Sequence, residues 1–466
     1  MTPEDRAELV KRLAELPLAR REALRRSLAE QADGMAWPLS SGQERLWFLS
    51  RFDPADTGYH MMWHVRLHGA VDHAGLVWAF SRIVARHEVL RTRFLLRGDR
   101  PAQVVREPEQ VPVERMDGGE QAVVGFVNRP FDLSRDLPIR VALIGDGDAH
   151  LLCMVIHHIA GDAWSLDVLM RELAECYAAY QEGREPDLPA LPLQYRHFAV
   201  WERKRQDPRA LEWWAEWLAG VPPLDLPADR PRPKRWSGRA VRQYVSVPDD
   251  AATRLEDLAK QERCTPFMAL VVAFQASMGL RAGQEDFCVG VPVHGRGRAE
   301  FAPLIGCFSN TIALRADLSG DPTFRELLRR ARGPFLRALQ NSDTPFERVL
   351  NAVQPPRDLS RPPLCQVVFN LTHDLPKADL FRTTLGDLRV ETCEPLRVTQ
   401  ARAEIFGEIY RDAGGVGGWL EYNSDLFSAE TGHLIGETFT GLVHRAGKHP
   451  DLRLSLLKVS TERHVR

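Results

Sequence analysis

The sequence predicts a mixed α/β chain folded as two lobes. Its 466 residues exceed what one ordinary hydrophobic core supports. Strand-like and helix-like patterns alternate over 37–180 and again after 240. Between them, EGREPDLPALP (182–192) and the proline-rich VPPLDLPADRPRPKRWSG (221–238) break every regular pattern.

Hydrophobic content of 44% with 27% charged residues reads as a soluble globular protein. A formal net charge of -2 leaves no basic excess, which argues against nucleic acid as a partner. Seven cysteines, at 153, 176, 264, 288, 307, 365 and 393, form no CxxC pair. Scattered and odd in number, they predict free thiols in a reducing cytoplasm, not a zinc site or a disulfide frame. No run of apolar residues is long enough to span a membrane, and the charged N-terminus lacks the apolar core of a signal peptide.

Residues 1–36 form a helical lead-in. Thr2 caps, Pro3 suits the first helical position, and Leu9, Leu13 and Leu16 share a face. Two readings stand: a helix packed on the body, or a docking segment for a partner protein. The N-terminal lobe, 37–180, carries a strand at HVRLHGAV (64–71), a helix at LVWAFSRIVARHEVL (76–90) and a buried strand at HLLCMVIHH (150–158). A helix over 165–181 follows, with Ser165 as its N-cap. Residues 181–240 hold a Trp-rich helical segment and the proline-rich linker. The C-terminal lobe, 241–466, shows a helix at 267–280 and strands at 285–293 and 366–372.

The chemistry concentrates in HHIAGDAWS (157–165). On an extended strand, adjacent side chains point to opposite faces, so only one of His157 and His158 can address a substrate. The second stands at the carboxyl end of the strand, where clefts form. That makes His158 the working residue and His157 a structural one. Asp162 either orients the histidine or locks the loop by pairing with an arginine. Diverging histidines without a His-x-x-x-His helix pair make poor metal ligands, so no metal is expected. The lack of a GxSxG elbow disfavours a serine hydrolase.

HHIAGDAWS closely resembles the HHxxxDGWS signature of condensation domains from nonribosomal peptide synthetases. LSSGQERLWFL (39–49), RHEVLRTRF (86–94), QYRHFAVW (194–201), IGCFSNTIALR (305–315), SDTPFERVL (342–350) and RDLSRPPL (357–364) resemble the family's other motifs, in the family's order. The resemblance implies a V-shaped pair of lobes like chloramphenicol acetyltransferase, with an active-site tunnel between them. Donor and acceptor carrier proteins, or a small-molecule acceptor, would enter from opposite mouths. The carriers' phosphopantetheine arms would hold the substrates, with no cofactor bound to the chain itself. The acceptor amine would attack the donor thioester. His158 would be catalytic, as base or as positioning group. His157 and Asp162 would be structural, with Arg296 of VPVHGRGR (291–298) as the partner of Asp162. Gly161, Ala163, Trp164, Ser309 and Asn310 would line the tunnel.

Several positions depart from the family pattern. Ala163 replaces a glycine, His197 an aspartate and Ser309 a valine, and ARAEIFGEIY (401–410) replaces a KFDL-like segment. These changes point to an unusual substrate, or to a hydroxyl acceptor giving an ester. The LWFLSRFDPADTGYH segment (46–60) leans toward an L-configured donor. No GGxS carrier motif and no adenylation-type loop is present, so carriers come in trans or the chain is one domain of a larger synthetase. The end, LSLLKVSTERHVR, resembles the start of a linker to an adenylation domain, and Met1 suits a free-standing enzyme or a first domain. A non-catalytic module that recruits partner proteins and an epimerising relative are the competing readings.

Overall fold

The computed structural model describes residues 35–146, 149–205, 207–235, 238–372, 384–393, 402–412 and 414–457; of the lead-in expected over 1–36 only Met35 and Ala36 lie among them, and Ala36 opens a strand rather than continuing a helix. The first half runs β1 (Ala36–Pro38), α1 (Ser41–Phe52), β2 (His60–His68), α2 (His73–Arg86), β3 (Thr92–Arg97), β4 (Arg100–Val105), β5 (Val113–Asp117), α3 (Gly119–Val127), β6 (Ile139–Asp146), β7 (Ala149–His157) and α4 (Ala163–Glu182). Helices α5 (Tyr195–Lys204) and α6 (Pro208–Trp217) lead onward. The second half runs β8 (Ala240–Pro248), α7 (Asp249–Gln261), α8 (Pro266–Ala282), β9 (Asp286–Val293), β10 (Asn310–Asp317), α9 (Phe324–Gln340), α10 (Phe346–Val353), β11 (Val367–Thr372), β12 (Arg389–Thr392), β13 (Ile405–Asp412), β14 (Gly415–Asn423) and α11 (Ala429–Lys448).

Two large sheets result. One has strand order β12-β2-β7-β6-β5, the other β10-β9-β11-β13-β14-β8, and β1, β4 and β3 make a small third sheet. In the first, β7 is central and buried along almost its whole length, which explains the unbroken apolar run in its sequence. β2 pairs with it antiparallel and sets His60 opposite His157. In the second, α8 is buried nearly all round; Thr265 caps it through Met268 N, and Pro266 occupies its first turn.

Each sheet has its own core, yet the halves interlock. The first core gathers Leu76, Phe80, Val141, Leu152 and Leu173, and also Phe301, Ile305, Cys307, Phe308, Leu385 and Leu388 from the second half. β12 crosses over to become the edge strand of the first sheet, pairing antiparallel with β2. Residues 221–235 hold no helix or strand, and Leu224 and Leu226 anchor them to the second core. Among the described residues, no single helix is long and apolar enough to cross a membrane.

Element ends differ from the sequence reading for local reasons. α2 stops at Arg86, and Glu88–Arg91 tighten into a 3₁₀ turn. There the buried His87 ring meets Glu172 at 2.8 Å. β7 stops at His157, and His158–Ala160 form another 3₁₀ turn. The cap of α4 is Asp162, not Ser165: the aspartate accepts from Ser165 N, so the serine is the donor in the capping bond.

Tyr195 at the start of α5 ties the halves together. Its hydroxyl donates to Cys307 O at 2.7 Å and meets Ser40 Oγ at 2.8 Å. Its ring lies so close to Gly306 that a Cβ there would stand 1.9 Å from Cδ2. Gly306→Ala therefore forces the buried ring aside, and a loss of about 1–3 kcal/mol of stability is expected from such overpacking. Thermal unfolding checks this; an unchanged Tm would contradict the packing described.

Candidate active site

The loop after β7 is built around one buried carboxylate. Asp162 Oδ1 accepts from Ser165 N (2.9 Å), Ser165 Oγ (2.7 Å) and Arg296 Nη2 (3.0 Å). Its Oδ2 accepts from Arg296 Nη1 (2.6 Å), Phe308 N (3.0 Å) and Ser309 N (3.2 Å). The Asp162 and Arg296 side chains are each only 3% exposed. The guanidinium also lies 4.2 Å from the Phe308 ring centroid and donates to Leu304 O. A carboxylate this deep repays its desolvation through such full hydrogen bonding, while the guanidinium engages both Nη groups and leaves Nε without a partner among the described residues.

His157 and His158 diverge because the strand ends between them. His157 is 5% exposed, and its Nδ1 accepts from Ile159 N at 3.1 Å, so Nε2 carries the proton. Its ring packs against those of His60 and Phe131. Burial lowers it to about 3 and His60 to about 4, so both are neutral at ordinary pH.

His158 is half-buried, and its N–H donates to Tyr59 O at 2.8 Å. Burial first, then the charge of Arg402, lower its pKa to about 3. Cys307 Sγ lies 3.8 Å from Nδ1. Gln43 of α1 donates to Ile159 O and steadies the 3₁₀ turn.

Two arginines flank Tyr59 beside this ring. Arg45 of α1 lies 5.9 Å from the Tyr59 centroid, and Arg402 of the second half lies 5.6 Å from it. Arg45 pairs with Glu347 of α10 at 2.9 Å, and Arg402 donates to Gly58 O at 3.2 Å. Protein surrounds both closely enough to desolvate them, yet both stay exposed to solvent, the Arg45 side chain by 43%. Both add positive charge near the His158 ring.

A family model described as Condensation domain matches residues 34–465. The chain belongs to the condensation-domain family. This condensation domain is 35% identical over 447 residues to one of the linear gramicidin synthase polypeptides of Brevibacillus parabrevis, covering 91% of this chain and 9% of that one. It thus spans under a tenth of that relative. The X-domain from teicoplanin biosynthesis is 28% identical, with a TM-score of 0.83 over 91% of this chain and 97% of that one. The first condensation domain of the calcium-dependent antibiotic synthetase, solved with a substrate analogue, matches at a TM-score of 0.74 and 20% identity, covering 91% and 98%. The fold is the two-lobed, chloramphenicol-acetyltransferase-like fold of these domains.

The condensation domain brings His158, Asp162, Arg296 and Ser309 into one cluster, and Ser309 takes part through its backbone N–H. Ala163 is exposed and opens α4 without left-handed backbone, so the methyl in place of a glycine carries little strain. Trp164 is 37% exposed; its indole donates to Ala302 O at 2.9 Å, another bond between the halves. Two expected lining residues are turned inward instead. Gly161 is buried, and a Cβ there would contact Ile156, Ser165 and Met61. Asn310 donates to Ser342 O and Thr344 O and accepts from Phe346 N, so its amide is committed to the start of α10. His197 accepts from Gln194 N through Nδ1, a helix-capping role that aspartate also fills. Among the described residues, no cluster of three His, Cys, Asp or Glu side chains is arranged to hold a metal ion.

Sequence reasoning missed Cys307, Tyr59, Arg45 and Arg402 as neighbours of the histidine. Arg45 and Cys307 stand inside quoted motifs, and Arg402 stands in the segment singled out for its departure, but nothing local marked any of them.

Asp162→Asn leaves a buried guanidinium without its counter-charge, so about 3–5 kcal/mol of stability is lost, and Asp162→Leu with Arg296→Met recovers part of it. Urea unfolding measures both; a double variant no better than Asp162→Asn would contradict this. The unfolded chain protonates His60 and His157 below about pH 6.5, while the folded chain does so only near their lowered values. Stability therefore falls as pH drops through that window, which Tm against pH detects. NMR of labelled histidines should show the His158 ring unchanged between about pH 8 and pH 5; a titration near its ordinary value would overturn the assignment.

Proposed function

We propose that this domain forms an amide bond between a donor acyl thioester and an acceptor amine, with His158 as the base. The observation that carries the reading is a half-buried imidazole, held neutral by burial and the charge of Arg402, where residues of both halves meet; its Nε2 would face the space between the lobes. Substrates would arrive on the phosphopantetheine arms of donor and acceptor carrier proteins, or the acceptor as a small molecule, in the cytoplasm.

As the amine nitrogen attacks the thioester carbonyl, a C–N bond forms and the N–H proton passes to Nε2. Collapse of the tetrahedral intermediate breaks the C–S bond, and the departing sulfur takes the proton back. A positioned base contributes about 10² to 10⁴ in rate. Holding both tethered reactants in line contributes as much again or more. The low pKa of His158 keeps the lone pair available but makes it a weak base. It therefore suits a step in which the proton moves only as the intermediate gains acidity. Asp162 and Arg296 would hold the loop in register and take no proton. Ala163, Trp164 and Ser309 would border the space.

Of the positions that suggested an ester product, His197 and Ala163 have structural accounts; Ser309 and the 401–410 segment keep the hydroxyl acceptor as an arm of the test. A second reading, recruitment of a partner protein, has its own support: the X-domain from teicoplanin biosynthesis is also solved in complex with OxyB. One experiment separates these. Loaded donor carrier is combined with amine and alcohol acceptors and native or His158→Ala protein. Amide product reduced about 10²- to 10⁴-fold in the variant, at unchanged Tm, supports the proposal. Equal turnover by both proteins removes His158 from the chemistry. Absence of product from the native protein, with carriers still bound, favours recruitment.

A further inference from the structure

We infer that Cys307 is a positioning residue for His158, its thiol bracing the imidazole so that Nε2 points into the space between the lobes. The inference rests on the reading of His158 as the base. Cys307 belongs to the second half and His158 to the first, and their side chains meet at 3.8 Å between Sγ and Nδ1.

The sulfur has little freedom to be elsewhere. The residue before it, Gly306, donates its N–H to Ser165 Oγ at 3.0 Å. The residue after it, Phe308, donates to Asp162 Oδ2 at 3.0 Å. Its own carbonyl accepts from Tyr195 at 2.7 Å. Behind the sulfur stands the first turn of α1, where a Cβ on Gly42 would lie 3.7 Å away. The thiol is thus wedged between a helix and the imidazole. It backs the Nδ1 edge of the ring.

A cysteine touching a histidine beside a thioester raises a second role, acyl transfer onto sulfur. The surroundings oppose it. A nucleophilic pair needs a thiolate beside an imidazolium. Here burial, reinforced by the Asp162 charge, pushes the thiol up, while burial pushes the imidazole down. Both groups stay neutral, and the contact is one of shape and weak polarity.

The test uses the full chain as Cys307→Ala and Cys307→Ser. Nitrogen NMR of labelled histidine should show one neutral His158 tautomer in the native protein. Cys307→Ala should add a second tautomer or exchange broadening, and serine should restore the native pattern. With loaded carriers, kcat of the alanine variant should fall about five- to tenfold at unchanged KM, with serine between the two. Ring signals identical in all three proteins would overturn the inference. So would an acyl group found on Cys307 by mass spectrometry after the native protein meets donor alone. A native protein that makes no product, yet whose ring signals respond to Cys307→Ala, would refute the condensation reading and leave the bracing role standing.

Discussion

The carboxylate of Asp162 is the constraint on which the rest of the site depends. It caps α4, receives the guanidinium of Arg296, and accepts two successive backbone N–H groups just before β10. One buried group therefore fixes a helix start, a loop and a strand entry drawn from both halves of the chain. A buried ion pair of this kind adds little net stability over a well-packed apolar substitute. What it adds is register: six hydrogen bonds cannot be satisfied together in a shifted arrangement. The positions of His158 and Cys307 both follow, since each lies a few residues from an atom that this carboxylate holds.

The histidines show how burial assigns different duties to chemically equal neighbours. His157 spends Nδ1 on a backbone N–H and its ring on aromatic contacts, so it is part of the wall. His158 sets its Nδ1 edge against the Cys307 sulfur of the other half. Arg402 and Arg45 add positive potential around a ring that is already desolvated, and an imidazolium there would meet like charge as well as low dielectric. The site thus favours the form of the ring that can accept a proton, at the expense of basicity.

Much of this was legible in the sequence because it is local. Apolar runs placed β7, β9 and α8, and the motif HHIAGDAWS placed the loop. The Asp162–Arg296 pairing was readable only through resemblance, since the two residues lie far apart along the chain. The cap of α4 was misassigned because Asp162 and Ser165 are both good capping residues, and sequence alone does not say which donates. Gly161 and Asn310 were placed at the lining because they flank motif residues; their actual surroundings, the Ile156–Ser165 contact and the start of α10, come from packing. Arg402, Tyr59 and Cys307 gained their meaning only when the halves came together, and no periodicity reports such a meeting.

The crossing strand β12 has a consequence of its own. It supplies the outer hydrogen-bonding partner of β2, although the chain reaches it only after passing through most of the second lobe. Severed from that return, the first lobe would present β2 as a bare, template-ready ladder inviting intermolecular pairing. Recombining halves from different parents within the proline-rich connector would also mismatch this strand and the Cys307 segment at once. The smallest transplantable piece is therefore the interleaved whole.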